Sequence, residues 1–190
     1  MDNAYKTVKC SQITLSQLML PSHSNFSGKI HGGYLLSLMD QIAFACGSKF
    51  SGKYCVTASV DRVDFLNPIE VGELVTLNAS VNYVGASSMV VGIRVDAQNI
   101  QTGLVKHCNS SYFTMIAKDS ETGKPVRVPR LQLKSEEEIM RYLKAAERIS
   151  LRKQRTASAV PFDGDVTQAI RHIEQHHDAK VSLTADAVSL

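Results

Sequence analysis

Residues 25–46 of this 190-residue chain read NFSGKIHGGYLLSLMDQIAFAC, and this stretch decides the fold. Gly32 and Gly33 allow a tight turn and leave free N–H groups at a helix start, where the helix dipole favours negative charge. Apolar side chains then recur at helical spacing, at Leu35, Leu38, Met39, Ile42 and Cys46. The pattern predicts a central helix over residues 33–50.

One acid interrupts the apolar pattern of this helix. Asp40 follows Gly33 by seven residues, which places both on the same side of the helix, about two turns apart. Leu36 and Ala43 flank Asp40 on its own stripe. The sequence therefore predicts a carboxylate among apolar neighbours, and such a group needs either a partner or a chemical role. Backbone donors beside a poised carboxylate are the groups that acyl-group hydrolysis requires.

The composition favours one globular domain with a sizeable core, since 44% of the residues are hydrophobic. The net charge of +3 is too small to indicate a nucleic-acid partner. The four cysteines match no metal-binding spacing and are interpreted as reduced thiols. The N-terminus lacks a signal segment, and no apolar run is long enough to cross a membrane. We therefore expect a cytoplasmic protein.

Strand-like segments follow the predicted helix. Four segments are rich in alternating and β-branched residues and are joined by short turns. They are residues 55–65, 74–84, 89–98 and 104–118. An edge strand is predicted earlier, around residues 7–20. A long helix followed by antiparallel strands indicates an α+β fold in which the sheet wraps around the central helix.

The C-terminal part carries a second helix signal. Ser135 and Glu138 form a capping box, and the helix that they start is expected to run to about Arg155, with early acids and late bases. The predicted organisation is a domain over residues 1–133, a charged C-terminal helix over 134–156, and a mobile tail over 157–190. Val166–His177 could form a short helix within that tail.

Taken together, the motifs resemble those of hotdog-fold acyl-CoA thioesterases, in particular the cytosolic long-chain acyl-CoA hydrolase branch. The resemblance runs from Pro21 to about Arg155. The motifs that carry it, in chain order, are Asn25-x-x-Gly28-x-x-His31-Gly32-Gly33, Leu38-Met39-Asp40, Val56-Thr-Ala-Ser-Val60-Asp61, Asp64-Phe65 and Gly85-Ala-Ser-Ser-Met89. The resemblance implies a five- or six-stranded sheet around a long helix, homodimers with a continuous sheet, and commonly trimers of dimers, that is, hexamers.

The resemblance also implies an active site at the dimer interface. The family's catalytic acid falls on Asp40, and its companion asparagine falls on Asn25 of the other subunit. Asp40 would act either as general base towards water or as nucleophile on the thioester carbonyl. Gly32 and Gly33 are interpreted as the oxyanion hole. His31 would shape the loop or donate a hydrogen bond. Each of these candidate residues also has an ordinary structural interpretation as a turn, cap or ion-pair residue.

Candidate substrate-binding residues lie on the following strands and turns. The period of two predicts that Thr57, Ser59 and Asp61 share one face of a strand. Small side chains in a turn would admit the pantetheine arm or phosphates of CoA, and arginines suit phosphate. These candidates are Ser87, Ser88, Arg62, Arg127 and Arg130.

The predicted function is hydrolysis of acyl-CoA to a free fatty acid and CoA. CoA is then a leaving group rather than a cofactor, and no metal site is predicted. The acyl chain would lie in an apolar channel lined by Leu36, Met39 and Phe44. Two alternatives stay open, a non-catalytic acyl-CoA sensor and an enoyl-CoA hydratase of the same fold.

Overall fold

The computed structural model describes residues 4–158, 165–176 and 179–182. The chain divides into two compact units, Met1–Arg148 and Ile149–Leu190. The first unit contains a central helix, α1 (Gly32–Ser51), and seven strands. In chain order the strands are β1 (Tyr5–Thr7), β2 (Ile13–Leu18), β3 (Tyr54–Val60), β4 (Glu73–Val84), β5 (Ser88–Asn99), β6 (Val105–Lys118) and β7 (Arg130–Gln132).

Helix α1 forms where the sequence predicts it. His31 caps its N-terminus, and Gly52 ends it in the left-handed conformation, with φ of 69°, which glycine adopts without steric cost. Its buried face consists of Leu35, Leu38, Met39, Ile42, Ala43, Cys46, Gly47 and Phe50. A side chain at Gly47 would lie 3.4 Å from Met115 and Met89, so the glycine lets the helix pack close to the sheet.

The main sheet has five antiparallel strands in the order β2-β4-β5-β6-β3. Alternate residues of its long strands face α1 and are almost completely buried, among them Val91, Ile93 and Val95 of β5. These residues and the buried face of α1 form one continuous core. The predicted α+β architecture, with a sheet packed around a long central helix, is confirmed.

Two strand predictions are wrong in extent. The edge strand predicted around residues 7–20 forms only as β2, because a 3₁₀ turn occupies Val8–Cys10. β1, which ends where the predicted strand begins, pairs in parallel with β7. The strand predicted over 55–65 ends at Val60. After that residue the chain keeps only isolated bonds to β6, such as Asp61 N–H to the Tyr112 carbonyl, because consecutive polar residues break the alternation.

The predicted charged helix is α2 (Glu136–Ser158). The Ser135 hydroxyl accepts the Glu138 N–H at 3.2 Å, while the Glu138 carboxylate accepts the Lys134 N–H. Within the first unit, α2 lies against the outer face of the sheet, where Tyr142 contacts Tyr83 and Arg148 stacks over the Tyr112 ring.

The second unit contains the short predicted helix, α3 (Val166–His176). His177, the predicted last residue of that helix, lies outside the described residues, as do residues 159–164 and 183–190. The predicted mobility of the tail therefore stays a prediction. Among the residues that the structure describes, no helix is long and apolar enough to cross a membrane.

Candidate active site

Asp40 lies on the open side of α1, facing β3. Its carboxylate accepts a hydrogen bond from the Thr57 hydroxyl of β3 at 2.5 Å. The expectation that Asp40 occupies a buried position of the helix is wrong for the single chain, because Asp40 is exposed, although its predicted apolar neighbours Leu36 and Ala43 are half-buried and buried. The stripe that carries Asp40 runs along the border between the core-facing and the open sides of the helix.

Two cavities share Asp40 as a wall. The first is almost entirely apolar, measures about 510 Å³, and is lined by Gly33, Leu36, Ser37, Val60, Asp61, Val63 and Phe113. The second measures about 550 Å³ and is lined by Gln41, Phe44, Tyr54, Cys55, Val56 and Thr57. A thioester whose carbonyl group reaches Asp40 can therefore extend in two directions along α1. Met39, predicted to line the channel, is instead fully buried in the core.

The two glycines at the start of α1, Gly32 and Gly33, have different neighbours. The Gly33 N–H donates to His31 Nδ1 at 2.9 Å, so the imidazole is the N-terminal cap of α1 and carries its proton on Nε2. The Phe65 ring packs on Gly32, where an added Cβ would lie 3.2 Å from it. Only glycine fits under the ring without displacing it. An oxyanion at Gly33 must replace His31 as the acceptor of the N–H.

Asn25 shapes the loop before the helix. Its side-chain oxygen accepts hydrogen bonds from the Ser27 N–H, the Ser27 hydroxyl and the Lys29 N–H. No acceptor for its NH₂ group occurs among the described residues. Asn25 lines neither of the two cavities at Asp40, so one chain does not join the two predicted catalytic side chains.

The prediction that Thr57, Ser59 and Asp61 share one strand face is wrong. A β-bulge at Ala58 shifts the register, so that Thr57 pairs with Met115 while Ser59 pairs with Thr114. Since adjacent residues of β6 point to opposite faces, Thr57 faces α1 and Ser59 faces outwards. Asp61 follows the end of β3 and lines the apolar cavity.

The remaining predicted binding residues do not line the cavities at Asp40. Ser87 and Ser88 lie at the turn between β4 and β5, two strands away from β3. Arg62 is exposed just after β3 and forms an ion pair with Asp64, with Nε to Oδ1 at 2.8 Å. Arg127 precedes β7 and Arg130 begins it, and both are exposed.

Leu36 and Phe44 line the cavities at Asp40 as predicted, but sequence reasoning missed the apolar walls that come from the sheet side. Val60, Val63 and Phe113 line the cavity beside Gly33, and Phe44 contacts Tyr54 edge-to-face at 5.8 Å on the other side. Val60 is 43% exposed and Phe65 is 51% exposed, so this side presents an open apolar surface. Partly exposed apolar residues on a strand at the sheet edge are the signal that could have found it. No group of three or more potential metal ligands occurs among the described residues.

A family profile and two bacterial relatives match large parts of this sequence. The Thioesterase superfamily profile matches residues 27–104. Protein VdlD of Helicobacter pylori is 43% identical over 151 residues, which cover 80% of this chain and 86% of that protein. The uncharacterized acyl-CoA thioester hydrolase YkhA of Bacillus subtilis is 38% identical over 147 residues, covering 77% of this chain and 85% of the relative.

Solved structures share the fold. An apo-hexameric acyl-CoA thioesterase has a TM-score of 0.79 at 37% identity, covering 82% of this chain and 99% of the other. An acyl-CoA hydrolase from Staphylococcus aureus, solved with butyryl coenzyme A and coenzyme A, has a TM-score of 0.75 at 31% identity, covering 90% and 99%. Three further structures of that hydrolase replace an aspartate, an asparagine or a threonine by alanine. By sequence and by fold, this chain belongs to the thioesterase superfamily.

Proposed function

We propose that this protein hydrolyses fatty acyl-CoA to a free fatty acid and CoA, with Asp40 as the reacting carboxylate. The observation that carries the proposal is the position of Asp40, which is held by the Thr57 hydroxyl and forms the shared wall of two cavities. The almost entirely apolar cavity suits an acyl chain, and the second, more polar cavity suits the pantetheine arm.

Asp40 has two routes to the same products. As general base, it takes a proton from a water molecule whose oxygen attacks the thioester carbonyl carbon. As nucleophile, its carboxylate oxygen attacks that carbon and forms an anhydride, which water then cleaves. In both routes the carbon–sulfur bond breaks and CoA leaves as the thiol. The Thr57 hydroxyl orients the carboxylate in either case.

Two donors are available for the negative charge that develops on the carbonyl oxygen. The Gly33 N–H lies at the positive end of α1 and becomes available when the substrate oxygen replaces His31 Nδ1. The NH₂ group of Asn25 is the second donor, because the loop uses only the side-chain oxygen of that residue. Gly32 supports this arrangement by admitting the Phe65 ring against the helix start.

The relatives support these roles. In the Staphylococcus aureus hydrolase, the substituted asparagine, aspartate and threonine are separated by 15 and 17 residues, the same separations as between Asn25, Asp40 and Thr57. That protein was solved with butyryl coenzyme A. The same three residue types at the same spacing favour the same roles for Asn25, Asp40 and Thr57.

A second copy of the chain completes the site in this proposal. Asn25 does not reach the cavities at Asp40 within one chain, and β3 ends the sheet beside an exposed apolar surface. Two neighbours in fold are described as hexameric. We propose a homodimer that joins Asn25 of one chain to Asp40 of the other, assembled further as a trimer of dimers.

The CoA nucleotide is expected near basic side chains at the rim of this assembly. Arg62, Arg127 and Arg130 are exposed and carry the fork geometry that phosphate prefers. Ser87 and Ser88 stay candidates for contacts that the assembled protein brings together. The predictions that the reaction needs no cofactor and that the protein is cytoplasmic stay parts of the proposal.

The two alternatives have weaker support. An acyl-CoA sensor needs no reacting carboxylate, yet Asp40 faces both cavities. An enoyl-CoA hydratase of this fold would pair its acid with a histidine, and no histidine lines either cavity.

The test is thiol release from acyl-CoAs of increasing chain length. We expect Asp40→Asn to lower kcat by about 1,000-fold while the protein still folds and binds acyl-CoA. Glu137→Gln, on the exposed side of α2, is the control and should behave as the wild type. Tight binding without thiol release by the wild type would contradict hydrolysis and favour the sensor.

A further inference from the structure

A second cluster of reactive side chains lies on the outer face of the sheet, which is the face opposite α1. Asp96 of β5 and His107 and Ser110 of β6 form a chain of hydrogen bonds. His107 Nδ1 lies 3.1 Å from Asp96 Oδ1, and His107 Nε2 lies 3.1 Å from Ser110 Oγ. Arg94 Nε donates to the other oxygen of Asp96 at 2.8 Å.

A bulge in β6 brings these groups together. Val95 pairs with Asn109 while Asp96 pairs with His107, so Cys108 is an extra residue on β6. Residues three apart in a regular strand point to opposite faces, whereas the extra residue turns His107 and Ser110 to the same face. The cluster therefore depends on this irregularity of the strand.

The hydrogen bonds orient each group. Because the Asp96 carboxylate can only accept, His107 carries a proton on Nδ1, and the neutral imidazole presents Nε2 as an acceptor to the Ser110 hydroxyl. The side chains of Asp96 and His107 are 18% and 28% exposed, while Ser110 is exposed. An oriented base beside an accessible hydroxyl is the arrangement that activates a serine nucleophile.

Ser110 opens into a polar cavity of about 400 Å³, between the outer face of the sheet and the beginning of α2. Arg94, Arg141, Asn78, Asn82 and Tyr112 also line this cavity. Arg141 Nη2 is bonded to Glu137, and Arg94 Nε to Asp96. Each guanidinium has five N–H donors, so each has further donors for an anion.

We propose that Ser110, His107 and Asp96 form a second esterase site, independent of Asp40, that accepts short acyl esters bearing an anionic group. Ser110 Oγ bonds to the ester carbonyl carbon as its proton passes to His107 Nε2, and the alcohol leaves with that proton. Water then cleaves the acyl-serine and releases the acid. Arg141 binds the anionic group of the ester, Arg94 binds the developing oxyanion, and Asp96 is the positioning residue for His107.

Covalent labelling of the full-length protein with an alkyl fluorophosphonate tests the nucleophile. Ser110 Oγ displaces fluoride from phosphorus, so one phosphonyl adduct is expected at Ser110 by peptide mapping. Ser110→Ala should lose the adduct, and His107→Gln should form it about 100-fold more slowly. Asp40→Asn should label as the wild type does.

Ser16 is the matched control within the same molecule. It is exposed on the same face of the sheet, but its hydroxyl contacts the Thr76 hydroxyl at 3.0 Å instead of an imidazole. Absence of an adduct at Ser110, labelling of Ser16 at the same rate, or a rate unchanged by His107→Gln would overturn the proposal. Unchanged thiol release from acyl-CoA by Ser110→Ala and His107→Gln establishes that both variants are folded.

Turnover is measured in the Asp40→Asn background with 4-nitrophenyl hemisuccinate, a short ester with a carboxylate. Nitrophenol release is expected, and adding Ser110→Ala should abolish it. Arg141→Gln should reduce release from the hemisuccinate about tenfold and leave release from 4-nitrophenyl acetate unchanged. Release that is the same with and without Ser110 would overturn the esterase site while leaving the acyl-CoA proposal intact.

Discussion

Asp40 lies on the helix side of the sheet and Asp96 on its outer side, and the two carboxylates differ in how they are held. Asp96 accepts hydrogen bonds from Arg94 and His107 within its own chain. Asp40 is exposed and accepts a hydrogen bond from Thr57 beside an open apolar surface. Asp96 therefore has its partners within the chain, whereas in our proposal Asp40 acts on substrate or water in a site that a second copy completes.

The neighbours of Asp96 also determine its charge. Burial raises the pKa of Asp96, but hydrogen bonds from Arg94 and His107 outweigh it, so its pKa lies below the ordinary value. Such a carboxylate stays ionised and fixes its neighbours, as expected of a positioning group. A carboxylate with few protein partners is free to bind and activate a reactant.

After Asp40→Asn itself, the largest effect on thiol release is expected from Asn25→Asp. Aspartate keeps the oxygen that accepts from Ser27 and Lys29 but removes the NH₂ donor. We expect kcat for thiol release to fall by about 100-fold or more. Steady-state kinetics with one acyl-CoA would measure it. An activity close to that of the wild type would show that the loop oxygen alone matters.

Thr57 is expected to have the next largest effect. Thr57→Val removes the hydroxyl that donates to Asp40 at nearly constant volume, and a hydrogen bond to a charged group is worth about 1.5–3 kcal/mol. A fall in kcat of about tenfold or more follows. Thr57→Ser restores the hydroxyl and should restore most of the rate. Equal losses in both variants would instead indicate a packing defect.

The smallest effect is expected on the outer face, and it is an effect on stability. Asp96→Asn removes a negative charge that accepts hydrogen bonds from Arg94 and His107. The free energy of unfolding at pH 7 should therefore fall by about 1 kcal/mol. Since the folded-state pKa lies below the ordinary 3.8, this contribution is present above that pH and is lost as the pH falls through the folded-state pKa. Urea unfolding of the wild type and the variant should therefore converge in acid.

A matched measurement separates the two faces. Asp96→Asn should leave kcat for acyl-CoA unchanged, because no residue of the outer cluster lines a cavity at Asp40. A loss of thiol release at pH 7 in a folded Asp96→Asn protein would show that the two faces are coupled.

Much of the helix side could be predicted from the sequence because its signals are local. The glycine turn, the helical spacing of apolar residues and the position of Asp40 all lie within residues 25–46. The family, the fold class and the order of the long elements are confirmed on this basis.

The remaining features depend on pairing between distant strands. The bulge at Ala58 turns Ser59 away from Thr57, and the bulge at Cys108 brings His107 and Ser110 together. Neither bulge contains a glycine or proline that would indicate it in the sequence. The exposure of Asp40 was missed for a similar reason, because helical spacing does not show where the sheet ends beside the helix.

The central claim is that a second copy completes the site of Asp40, and mixing two inactive variants tests it most directly. Asn25→Ala and Asp40→Asn proteins are unfolded together, refolded together and assayed for thiol release. If each site takes Asn25 and Asp40 from different chains, half of the dimers are mixed and each contains one intact site, so about a quarter of wild-type activity returns. If both residues act within one chain, every site in the mixture carries a substitution. The mixture would then stay inactive, and the account of a shared site would be wrong.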